Sequence, residues 1–84
     1  MDVPGVDTLC NHNYAYCIVK QLASVARQTG KKHLMSELNG CTGWQMRFSD
    51  YKGIGDWQAI MGINLRCPHL SWYTMQGEAK RDYP

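Results

Sequence analysis

The chain has 84 residues, 44% of them hydrophobic, and a formal net charge of +2, which bounds it to one globular unit or a piece of one. Its nine Lys and Arg are spread along the chain and balanced by seven acids, so no basic run marks a nucleic-acid or membrane surface. No apolar stretch approaches the roughly 18 residues of a membrane span, and MDVPGVDT lacks the basic and apolar regions of a signal peptide.

The expectation is therefore an untargeted, soluble piece with neither a nucleic-acid nor a membrane partner. Cys10, Cys17, Cys41 and Cys67 form no CxxC pair. Reduced, partly buried thiols are expected over a disulfide scaffold or a zinc knuckle; they favour a cytoplasmic setting, though the compartment stays open.

After Pro4 and Gly5, the stretch VDTLCNH (6–12) is short and partly apolar, as suits a strand. Across 16–29 the apolar residues Ile18, Val19, Leu22, Val25 and Ala26 recur at helical spacing, and Gly30 stands where a left-handed residue would close the helix. A second strand is expected over 33–38, between Gly30 and Gly40, close enough behind the helix to run parallel to the first.

Beyond the glycine-bearing loop NGCTGW, Ser49 can cap a helix reaching Met61, with Tyr51, Ile54, Trp57, Ile60 and Met61 tending to one side and Gly62 at its end. Gly53 and Gly55 weaken that helix. In GINLRCPHL (62–70), Ile63, Leu65 and Cys67 alternate with Asn64 and Arg66 before Pro68, as in a third strand. Strand, helix, strand, helix, strand with short connections is an α/β pattern with a parallel βαβαβ sheet. Such a sheet is normally covered on both faces, so this chain needs further strands or self-association to cover its face and edges, and the piece alone is expected to fold poorly.

Ligands of parallel α/β sheets bind outside the carboxyl ends of the strands, and Glu37 stands at that end of the middle strand. Period-two geometry places His33 and Met35 on its face and turns Leu34, Ser36 and Leu38 to the helices. On the third strand, Arg66 and Asn64 are expected to form the polar face beside Glu37, with Leu65 and Cys67 against the helices. A guanidinium beside the carboxylate suits a nucleophile better than a general acid. The same pair could serve as a structural ion pair.

MSELNGCTGW, GDWQAIMGINLRCPHLSWYT and GEAKRDYP together resemble the barrel domain of large bacterial glycoside hydrolases, specifically the clan A (β/α)8 enzymes of β-galactosidase-like or α-L-rhamnosidase-like type. The resemblance runs from DVPGVD over nearly the whole chain. It implies that these strands are the last three of a TIM (β/α)8 barrel, that residues 1–84 are a part of that domain, and that Glu37 matches the nucleophile at the end of the seventh strand. The clan's general acid/base lies at the end of the fourth strand, outside this chain. Asp7, early in its expected strand, and Glu78, in a polar tail beside Lys80 and Arg81, are weaker local alternatives.

The resemblance further implies a carbohydrate substrate held by flat apolar faces, for which Trp44 and Trp72 are the candidates, with His69 and Arg66 as polar contacts. Trp57, at helical spacing, is expected in the core. Such hydrolysis requires no cofactor, and nothing in the sequence forms a calcium loop or another metal site of that family. Two other classes compete. Cys10-x-His12 and Cys67-x-His69 repeat one spacing on two expected strands, as a Cys/His metal module would. A non-catalytic remnant or binding module of the same fold is the other.

Overall fold

In a computed structural model, which describes residues 1–8, 15–70, 74, 76 and 77, the elements follow the expected order. These are β1 (Gly5–Asp7), α1 (Ala15–Thr29), β2 (Met35–Leu38), α2 (Phe48–Met61) and β3 (Leu65–Pro68). The strands form one parallel sheet in the order β1-β2-β3. Of the strand expected over 6–12, Gly5–Asp7 carries the ladder and Thr8 extends it by donating its N–H to Glu37 O; the remainder lies outside the described residues.

Both helices stop at a glycine because each needs a left-handed residue to turn its last carbonyls inward. Gly30 has φ 71° and Gly62 φ 116°. The N–H groups that follow them reach back five residues, Lys31 to Ala26 O and Ile63 to Gln58 O, which is the Schellman arrangement. At the other end of α2 the cap differs from the expected Ser49. The helix begins at Phe48, and the Asp50 carboxylate accepts the Arg47 backbone N–H at 2.9 Å and the Arg47 guanidinium. Those bonds, from the side chain first and the backbone second, hold the Asp50 carboxyl below its usual range.

The sign of that shift sets a pH dependence. A depressed carboxyl pKa contributes stability that is present above the unfolded value of about 3.9 and is lost as pH falls through the lower folded value. The first turn of α2 is expected to fray in that acid window in the wild type. In Asp50→Asn it should be loosened already at neutral pH, as read from the Arg47 and Phe48 amide resonances. A first turn indifferent to pH in both proteins would contradict the cap.

Both helices lie on one face of the sheet. Val19, Leu22, Ala23 and Ala26 of α1 meet Leu34 and Ile63 in the core, with Val6, Trp57 and Met61 packed against them. Trp57 is thus in the core layer as expected, whereas Tyr51 and Ile60 point outward. Gly55 leaves room for the Arg66 guanidinium: a Cβ there would stand 2.7 Å from Arg66 Nη1, which would have to move aside. Arg66 Nη2 donates to Gly55 O at 3.1 Å.

The start of β2 is fixed by a side chain that replaces a strand partner. Asn64 Oδ1 accepts Leu34 N–H at 2.9 Å, and Asn64 Nδ2 donates to Lys32 O at 2.7 Å. Each such bond contributes about 0.5–1.5 kcal/mol net. Asn64→Ala should therefore lower the urea midpoint by the equivalent of about 1–3 kcal/mol, while Asn64→Asp, which keeps the acceptor alone, should lose less.

Candidate functional site

Because neighbouring strands are in register, residues paired across the sheet share a face. Val6, Ser36 and Arg66 form one row, directed at the helices, and Asp7, Glu37 and Cys67 form the next, directed away from them. Gly5, Met35 and Leu65 lie on the same side as Glu37. Among the described residues nothing covers this face: Asp7, Leu65 and Cys67 are exposed and Glu37 is half-buried. Leu34, Ser36 and Leu38 are buried, so the facing expected for β2 holds.

The backbone under Glu37 is tied down from the helix side. Glu37 O accepts Thr8 N–H at 3.2 Å and the Thr8 hydroxyl at 2.9 Å. Gln58, fully buried in α2, donates from Nε2 to Thr8 Oγ1 at 3.1 Å. The carboxylate thus stands on a strand whose carbonyl is clamped from below, at the carboxyl end of the sheet where the βα loops begin.

Arg66 is not its neighbour. It pairs with Ser36 on the helix face and is spent on Gly55 O, so the expected Glu37–Arg66 contact is corrected. The cause is a break in alternation ahead of β3. Asn64 N–H and Leu65 N–H both donate to the single acceptor Leu34 O, at 3.2 and 3.1 Å, which spends one extra residue between buried Ile63 and the strand. Leu65 and Cys67, expected against the helices, consequently turn to the open face and Arg66 to the closed one.

A second correction concerns Asp7. It closes β1 and stands in register beside Glu37, at the strand end rather than early in the strand. Of the thiols, Cys41 is half-buried as expected, whereas Cys17 and Cys67 are exposed.

Two depressions open at this end of the sheet. One, of about 260 Å³, is lined by Glu37, Cys67, Pro68, His69 and Leu70. The other, of about 380 Å³, is bounded by Asn39, Trp44, Phe48, Tyr51, His69 and Leu70 among others. His69 and Leu70 border both. His69 is placed by its own backbone N–H, which bonds Leu38 O at 2.8 Å, and by its Nδ1, 2.8 Å from Leu70 O.

The structure therefore brings together Glu37, His69 and Trp44, and sets Arg66 apart. Trp72 and Glu78 lie outside the described residues. A larger groove of about 540 Å³, lined by Cys41, Gln45, Met46, Asp50, Ile54 and Trp57 among others, lies away from Glu37. Its one carboxylate, Asp50, is engaged by Arg47.

Phe48 was not singled out in the sequence, and Tyr51, expected on the packed side of α2, is exposed. For the metal alternative, no three His, Cys, Asp or Glu side chains are grouped as ligands among the described residues, and Cys10 and His12 lie outside them. No helix is long and apolar enough to cross a membrane. Comparison of the chain with family models, with curated proteins and with solved structures finds no match.

Proposed function

We propose that this chain is part of a glycoside hydrolase of (β/α)8-barrel type, with Glu37 as the nucleophile that attacks the anomeric carbon of a carbohydrate substrate. The observation that carries the reading is the placement of Glu37. It is a carboxylate on the uncovered face, at the carboxyl end of the central parallel strand, inside a depression and clamped through its backbone. The sequential strand order and a helix layer on one side alone are what three consecutive strands of a barrel would present, the open face being the barrel interior.

In this reading Glu37 forms a bond to the anomeric carbon as the bond to the leaving oxygen breaks, and a second carboxyl group gives that oxygen its proton. Water then displaces Glu37, yielding its proton to the same second group. That acid/base lies on a strand outside this chain. Asp7 does not fill the role, because side chains abreast on neighbouring strands approach a ligand from one side, whereas nucleophile and acid flank the scissile bond.

A panel of activated 2-deoxy-2-fluoro glycosides tests the assignment, since a slowed intermediate stays attached to its nucleophile. The expected result is a sugar-sized mass increase on the peptide containing Glu37. A label that forms on another carboxylate removes the assignment.

A further inference from the structure

The hydroxyl of Thr8 has a single proton, and it is given to Glu37 O at 2.9 Å. Thr8 Oγ1 can therefore only accept from Gln58, whose Nε2 stands 3.1 Å away, and this fixes which end of the Gln58 amide faces the strand. The other end, Oε1, is buried without a hydrogen-bond partner. Gln58 is 1% exposed, and no larger side chain is so fully buried among the described residues. Shutting an amide oxygen away from both water and donors is unfavourable, and an apolar side chain of the same length would fill the place without that penalty. Stability does not account for a glutamine here.

What the amide does reach is the point where the β1–β2 ladder ends. β1 stops at Asp7, and Glu37 O takes the last bond on that side, from Thr8 N–H at 3.2 Å. The Ser36 hydroxyl is a weaker third donor to the same oxygen, at 3.4 Å. Bonds at the end of a ladder open readily, and a swing of the Glu37 peptide group would carry its Cβ and carboxylate with it. We propose that Gln58 is a positioning residue: through the Thr8 hydroxyl it steadies the end of β2 so that the Glu37 carboxylate keeps its attacking position, and the fold is less stable for it. The inference rests on the reading of Glu37 as a glycosidase nucleophile. Gln58 itself touches no substrate.

The test compares Gln58→Met, Thr8→Val, the double variant and Glu37→Gln. Met matches Gln in length and removes both polar atoms, so the urea midpoint of Gln58→Met is expected to stay level or rise. Thr8→Val leaves the Gln58 amide with no partner at all and is expected to lower it. In the parent barrel that the glycosidase reading requires, Gln58→Met should lower kcat on an activated aryl glycoside by roughly fivefold with KM unchanged, since misplacement by about 1 Å is worth about 10²-fold and this is a fraction of it. The double variant should lose no more kcat than Thr8→Val alone, because both changes cut one relay. A lowered midpoint in Gln58→Met makes the residue structural and overturns the proposal. An undiminished kcat, or losses that multiply in the double variant, does the same; with Glu37→Gln inactive, each of these leaves the nucleophile in place. A Glu37→Gln protein that retains turnover removes the nucleophile and the positioning role together.

Discussion

Glu37→Gln is expected, on the proposed glycosidase reading, to lower kcat on an activated aryl glycoside by at least about 10⁴-fold without altering the fold, measured in the parent barrel that this reading requires. Gln keeps the length and polarity of the side chain and removes the charged oxygen that would bond to carbon. Nothing in the fold depends on that oxygen. Among the described residues the Glu37 carboxylate takes part in no hydrogen bond or ion pair, and the bonds that position the residue run through its backbone carbonyl to Thr8. Circular dichroism and the urea midpoint should therefore stay at their wild-type values while turnover disappears. Activity within tenfold of wild type would exclude Glu37 as the nucleophile.

The largest effect on stability should come from Leu22→Ala. Leu22 lies in the core between Val19, Ala23 and Ala26 of its own helix and the strand-start residues Leu34 and Ile63. Its loss removes apolar burial and leaves a cavity that the short strands close poorly, for which about 2–5 kcal/mol is typical. Domains hold only about 5–15 kcal/mol in total, and this one, with a sheet face uncovered, has less apolar burial to draw on. A large part of the Leu22→Ala population is expected to be unfolded at 37 °C, visible as a lost near-ultraviolet spectrum. Val25→Ala, on the exposed side of the same helix, should change stability by no more than about 0.5 kcal/mol.

How far the sequence could be read depended on whether a segment's pattern survived its connections. The first helix was legible because Val19, Leu22 and Ala26 mark a stripe and Gly30 an end, and both are local properties. The middle strand was legible down to its facing, since Leu34, Ser36 and Leu38 are buried and Glu37 turns away. The third strand was not: the apolar alternation of Ile63, Leu65 and Cys67 would bury all three, but the doubled bond to Leu34 O inserts a residue and inverts the two that follow. Arg66 accordingly lands on the side where Gly55 leaves room for its guanidinium. No local pattern encodes that pairing, which joins residues in different elements.

The candidate site divided in the same way. Glu37 was singled out from its strand end, and Trp44 and His69 from the family resemblance; Glu37 and His69 line one depression and Trp44 and His69 the adjoining one. Asp7 was placed early in a strand expected over 6–12, whereas among the described residues it is the last of β1 and lies abreast of Glu37. Tyr51 was read as a helix-packing residue because its spacing from Ile54 is helical. A helix resting on one sheet face has only a narrow buried stripe, and Ile54 and Gln58 occupy it.

The register has a kinetic consequence. Gly5, Met35 and Leu65 lie abreast, each thirty residues beyond the last, so the two strand pairings close loops of equal length. Loop-closure entropy depends on length alone to first order, and neither pairing has a head start. With no local strand contact to nucleate the sheet, folding must wait for a helix to shorten one of the loops. Amphipathic, well-terminated α1 is the element suited to do so before glycine-bearing α2. The β1–β2 pair should then form first and β3 last, leaving the strand that carries Cys67 and the walls of both depressions as the latest part of the molecule to become ordered.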